Sequence, residues 1–133
     1  GSGPDAATIG GLVVPGVTVI GPQANIAPYL QAADLSVLAS ASEGFSMSVL
    51  EALACGLPTV ATRVGAVPEM MDAAAGAMVA PDDFEALQNA LIVLLTAPEQ
   101  WPQMSAAARA AVVERYALPN IARQVTALYE SLM

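Results

Sequence analysis

Four apolar runs of strand length punctuate the first 80 residues: VTVIG at 17–21, LSVLAS at 35–40, PTVAT at 58–62 and AMVA at 77–80. Each is bounded by Gly, Pro, Ser or Asp, and none has a face polar enough for water. Such strands belong in a parallel sheet covered on both sides. Helical patterns lie between them. Residues 25–32 have Asn25 as an N-cap, residues 46–55 end at Gly56 and Pro58, and "GAVPE" introduces a short turn of helix at 67–71. The resulting order is strand, helix, strand, helix, strand, short helix, strand, which is the order of a doubly wound α/β domain.

Beyond residue 80 the pattern is wholly helical. Asp82 and Asp83 start a helix that places Phe84, Leu87, Ala90, Leu91, Leu94 and Leu95 on one face. Pro98 closes it and opens another helix running to about Tyr116. A last one carries Ile121, Val125, Leu128, Tyr129 and Leu132 at steps of three and four. The sequence contains no internal repeat.

With 133 residues, 56% of them hydrophobic and 12% charged, the chain can build a core. Its 12 acidic residues against 4 arginines and no lysine give a charge of −8, which argues against nucleic acid or an anionic membrane as partner. A phosphate ligand would need cations from elsewhere. A single cysteine, Cys55, rules out an intrachain disulfide, and with no histidine a zinc site is not expected. A cytoplasmic location follows as the default. Residues 6–33 are uncharged, but glycines and prolines interrupt them and no basic residue precedes them. Neither an export signal nor a membrane span is expected. The opening GSGP reads as a tag scar or as the start of a longer protein.

Two carboxylates stand out in so weakly charged a chain. In SEGFSMSVLEALACGLP, residues 42–58, Glu43 and Glu51 flank a small polar turn and the first half of an apolar helix. In open parallel sheets ligands sit at the carboxyl ends of strands, which puts Glu43 on a ligand-facing loop. The helix starting near Ser46 offers unpaired N–H groups and its positive end to an anion such as phosphate. Glu51 lies about one turn further on, roughly 6–7 Å by helical rise. There it could bind a ribose diol while phosphates rest at the helix end, leaving Glu43 to accept from sugar hydroxyls.

At these residues the chain resembles a known family. ADLSVLAS-ASEGFSMSVLEALACGLPTVATRVGAVPEMM is similar to the carboxyl-terminal domain of the retaining, nucleotide-sugar-dependent glycosyltransferases of the GT-B fold, glycosyltransferase group 1 or family 4. The mark is Glu, seven residues, Glu, running into EA-A-G-P. The flanking VTVIGPQANIAPYLQAAD and AGAMVAPDDFEALQNALIVLL match as well, so the resemblance covers almost all of residues 17–133. It implies a Rossmann-like parallel sheet with flanking helices, here a truncated carboxyl-terminal domain over residues 1–133 that lacks the first strand-helix units and the amino-terminal acceptor domain. Carried over by position, it implies that Glu43 contacts the donor sugar as the catalytic carboxylate. Gly44, Phe45, Ser46 and Met47 would offer backbone N–H groups to sugar and diphosphate, and Glu51 would hold the ribose 2′- and 3′-hydroxyls. Gln23 falls in the region that receives the base. Such enzymes transfer the sugar with retention of configuration, usually without a bound metal or other cofactor. The partners implied are a nucleotide-sugar donor and an acceptor whose identity lies in loops with no transferable code.

There are departures from the pattern. The family's Gly-Gly pair is Gly65-Ala66 here, and its Arg and Lys that grip the diphosphate have no counterpart, so the chain alone is expected to be inactive. Plainer roles also compete for single residues. Glu69 reads as a first-turn helix residue, Cys55 as a small buried hydrophobe, Arg63 as a surface residue, and Met47, Met70, Met71 and Met78 as packing. A non-catalytic module of the same fold, or a fragment of a nucleotide-sugar epimerase, are the competing functions. The family's strand order, 3-2-1-4-5-6, makes 17–21 strand 3 and leaves strand 4 (35–40) with an open edge. Three outcomes would cover that edge: strand 3 moves in beside it, two chains pair or swap through it, or strands outside this chain lie there.

Overall fold

The computed structural model describes residues 6–11 and 14–133; the reading of GSGP falls outside them. Three strands, β1 (Ser36–Leu38), β2 (Thr59–Thr62) and β3 (Gly76–Val79), form a parallel sheet in the order β1-β2-β3. All four residues of β2 are buried, as the centre of a sheet covered on both faces must be. Three of the four expected strands are thus present, together with the expected helices α2 (Ala27–Gln31), α3 (Met47–Ala54), α4 (Val67–Met70), α5 (Phe84–Thr96), α6 (Trp101–Tyr116) and α7 (Leu118–Ser131). A short α1 (Ala6–Gly10) was not foreseen, and Pro98–Gln100 form a 3₁₀ turn leading into α6.

Local chemistry sets these boundaries. α3 ends in a Schellman motif: Gly56 N–H donates to Leu53 O (2.9 Å) and Leu57 N–H to Ala52 O (3.0 Å), with Gly56 at φ +77°. Asp83 caps α5 by accepting from Ala86 N–H at 2.9 Å. Asn25 accepts from Ala27 N–H at 3.1 Å, one residue earlier than an N-cap, since Ile26 holds that place. At Gly76 a side chain would collide with the Thr59 backbone on the neighbouring strand.

The core lies where α3, α4 and α6 meet β2, built from Val49, Leu53, Ala61, Val67, Met70 and Met71 with Ala108 and Val112. α3 packs on β1 and β2, α6 packs on α3, and α5 packs on β2 and β3. Met70 and Met71 are buried as expected, and Met78 packs against the core. Met47 does not pack: it is exposed at the start of α3.

Three expectations are corrected. Residues 17–21 form no strand. Pro15-Gly16 and Gly21-Pro22 break the run at both ends, Val17 N–H is used in a turn with Val14 O (3.0 Å), and Val17, Val19 and Ile20 are exposed. A strand without a ladder partner has nothing to hold it extended. Among the described residues β1 therefore pairs only with β2 and keeps one open edge, an outcome that goes against assigning 17–21 to the sheet. The second correction concerns α5, where Leu94 is buried but Phe84 and Leu95 are exposed: its apolar stripe is wider than the contact it makes. In α7 the periodicity is real, yet Ile121, Val125, Leu128, Tyr129 and Leu132 are all exposed. Ala117 is extended, and the helix it leads into packs against α6 alone among its larger contacts.

Candidate functional site

β1 runs directly into the loop that carries Glu43. Ser40 Oγ donates to Glu43 Oε1 at 2.7 Å, so the carboxylate is held beside the strand end and is half-buried. The Ser40 carbonyl is held in turn by Thr62 Oγ1 at 2.6 Å, from the carboxyl end of the neighbouring strand. The adjacent loop segment is clamped by the turn after β2. Ala66 N–H donates to Gly44 O at 2.9 Å, and Gly65, at φ +50°, lies so close that a Cβ would collide with the carbonyls of Glu43 and Gly44. Only the first glycine of the family's pair is needed for this. Ala66 sits at φ −83° and supplies its N–H without strain, so the departure costs the loop nothing.

Ser46 stands at the N-cap of α3 and is buried, yet its hydroxyl pairs with Ser48 Oγ (3.1 Å) rather than capping the helix. The first-turn N–H groups of α3 thus receive no side-chain cap from Ser46, and the positive helix end stays open. Phe45 and Met47 stand exposed on either side of Ser46. Phe45 meets Tyr116 of α6 edge to face, with ring centroids 5.7 Å apart and planes at 74°.

Glu51 occupies different ground. It is exposed and lines a cavity of about 590 Å³ together with Gln23–Ala27, Leu30, Ala54 and the α3 C-cap Cys55. Of the predicted site residues, Glu51 and Gln23 line this space together. Glu43, Gly44, Phe45, Ser46 and Met47 gather instead around the amino end of α3. Gln23 itself is internally committed: Nε2 donates to Ile20 O (2.8 Å) and Oε1 accepts from Tyr29 Oη (3.2 Å). Cys55 is half-buried on the cavity wall, not fully buried as expected.

Three of the four arginines are committed to acceptors within the protein, Arg109 to a carbonyl on the cavity wall. Arg109 Nη1 donates to Ala54 O and Arg115 Nη1 to Glu69 O, both at 2.7 Å, and Arg123 pairs with Asn120. Arg63 is exposed just beyond β2, as a surface residue would be. Glu69 is the expected first-turn acid of α4; its backbone N–H donates to Ala66 O and its carbonyl accepts from Arg115 and Tyr116. Among the described residues no three His, Cys, Asp or Glu side chains gather as a metal would require, and no helix is long and apolar enough to cross a membrane.

Sequence reasoning missed Ser40, Thr62 and Tyr116. Hydroxyl residues ending two adjacent strands were the available signal for the first two. For Tyr116, 71 residues from Phe45, there was none.

Comparison with known proteins bears on this geometry. The family model described as glycosyl transferases group 1 matches residues 1–97. A lipopolysaccharide core biosynthesis mannosyltransferase of Rhizobium meliloti is 34% identical over 120 residues, covering 88% of this chain and 34% of its own length. The chain thus spans about a third of that relative. Among solved structures, sucrose-phosphate synthase from Thermosynechococcus elongatus superposes with a TM-score of 0.73 at 31% identity, over 80% of this chain and 27% of its own. An Anabaena protein solved in complex with UDP has the same fold, with a TM-score of 0.76 at 23% identity over 82% of this chain and 30% of its own.

Proposed function

The chain belongs to the group 1 glycosyl transferases, and we propose that it is the donor-binding part of an enzyme that moves a sugar from a nucleotide sugar to an acceptor with retention of configuration. The observation that carries this reading is the cavity joining Glu51 to the loop at Gln23–Ala27. Its volume falls in the range of small-ligand sites, and a carboxylate beside an irregular loop suits a ribose diol next to a base. Glu51 accepts from the 2′- and 3′-hydroxyls. From there the diphosphate extends toward the uncapped amino end of α3, where the backbone of Gly44, Phe45, Ser46 and Met47 presents N–H groups.

Negative charge grows on the diphosphate as the glycosidic bond breaks, and donors already fixed at a helix end stabilise it without reorganising. Glu43, oriented by Ser40, accepts from hydroxyls of the transferred sugar. Three of the four arginines are tied to acceptors within the protein. In a chain of charge −8 a nucleoside diphosphate is therefore held weakly.

Titration of the chain with UDP, GDP and ADP, followed by amide chemical shifts, tests the reading. Shifts at Ala24–Ala27 and Leu50–Cys55, with a dissociation constant of about 1 mM or weaker, are expected. Shifts confined to other surfaces would refute the donor site, and micromolar affinity would refute the argument from the missing cations.

A further inference from the structure

We propose that Tyr116 is the positioning residue of the loop Glu43–Ser46, holding it in the shape that receives the donor. The proposal rests on the reading of that loop given above. On one side the loop is held by backbone: Gly65 lies against the Glu43 and Gly44 carbonyls, and Ala66 N–H donates to Gly44 O. The opposite flank is open at Gly44, where a Cβ would meet nothing within 4 Å. The next residue, Phe45, is 47% exposed, so burial alone fixes its ring poorly. Its aromatic partner is Tyr116, at 5.7 Å and 74°, the edge-to-face arrangement that aromatic pairs prefer.

Tyr116 can serve as an anchor because its own position is determined two ways. Its ring packs against the hydrophobic core. Its hydroxyl donates to Glu69 O at 3.2 Å, and the same carbonyl accepts from its neighbour Arg115 at 2.7 Å. A carbonyl with two lone pairs near the end of a four-residue helix has no helical partner of its own, and α6 supplies both donors. The contacts close a ring: loop to Gly65-Ala66, on through α4 to Glu69, across to Tyr116, and back through Phe45 to the loop. Through Phe45, Tyr116 ties α6 to the Glu43–Ser46 loop, although it touches no ligand.

The test uses order parameters of the backbone amides in the 133-residue chain, with Tyr116→Phe, Tyr116→Leu and Phe45→Leu compared to wild type. Gly44, Phe45 and Ser46 should read as rigid in wild type, about 0.85, and only slightly lower in Tyr116→Phe, which loses the hydroxyl bond to Glu69 O but keeps the aromatic pair and the core packing. They should fall toward about 0.6 in Tyr116→Leu, with Val60 and Ala61 unchanged. Phe45→Leu changes an exposed side chain, so it leaves the core folded and should loosen the same amides even if Tyr116→Leu does not fold. Loop amides that stay rigid in Phe45→Leu, or in a folded Tyr116→Leu, overturn the proposal.

Transfer kinetics of an active enzyme containing these residues supply the second arm. Tyr116→Leu should lower kcat up to about tenfold and Tyr116→Phe should restore it; a loosened loop with unchanged kcat would overturn the positioning role. If wild-type enzyme transfers no sugar, the proposed function fails, while the order parameters still decide the clamp.

Discussion

The two ends of α3 are built by different means. At the amino end, Glu43 and its loop are held from far away in sequence: Thr62 to Ser40 across 22 residues, Ala66 to Gly44, and Tyr116 to Phe45. Around Glu51 the facing wall is shaped locally, by Gln23 on Ile20, Asn25 on Ala27 and Tyr29 on Gln23, none more than six residues apart. Long-range contacts tie the loop at the amino end of α3 to distant elements, although most of its residues are exposed. Local contacts leave the second open to its ligand. A carboxylate preset by the fold suits the reacting end of a substrate, where geometry governs rate. One on an open wall suits an end that is only bound.

The sharpest way to break this contrast is Gly65→Ala. A methyl group there collides with two carbonyls at a backbone angle unfavourable to L-residues, and should cost about 2–4 kcal/mol in urea denaturation. Gly44→Ala on the open flank should cost about 0.5 kcal/mol or less. Equal losses would mean that the loop is not clamped as described.

Next in size is Ser40→Ala, which leaves Glu43 without its donor. The net worth of one such hydrogen bond is about 1 kcal/mol, so kcat should drop roughly fivefold with donor KM unchanged. A rise in KM alone would shift Glu43 from the reacting end to simple binding. The smallest effect belongs to the other end. Gln23→Ala removes a local brace and should change donor KM by no more than about threefold, with kcat intact, because the loop backbone keeps its other turns. A large loss in kcat would show that this end also governs chemistry.

The same division explains what could be read in advance. β2 and β3, the end of α3 and the start of α5 were legible because their signals are local: apolar runs, Gly56 at a left-handed position, Asp83 as a cap. That Glu43 falls on the loop after β1 and Glu51 on α3 was legible because loop and helix signals within a short stretch set those positions. The run at 17–21 carries the same apolar signal as a buried strand, but a strand needs a neighbour, and composition does not reveal one. α7 shows this from the helical side: its periodicity is correct, yet its apolar residues stay exposed although the helix packs on α6. The clamp on Phe45 joins residues 71 apart, and no pattern within either segment announces it.

The central claim is that the two glutamates divide one donor between them, Glu51 at the ribose and Glu43 at the sugar. Measuring UDP affinity and steady-state transfer for Glu51→Gln and Glu43→Ala, in an active enzyme containing this chain, tests it most directly. Glu51→Gln should weaken UDP and raise donor KM by about tenfold, with kcat little changed. Glu43→Ala should leave UDP affinity as it was and lower kcat by about 10²-fold or more. Small, equal effects of both substitutions on binding and rate would contradict the account and make the pair structural residues.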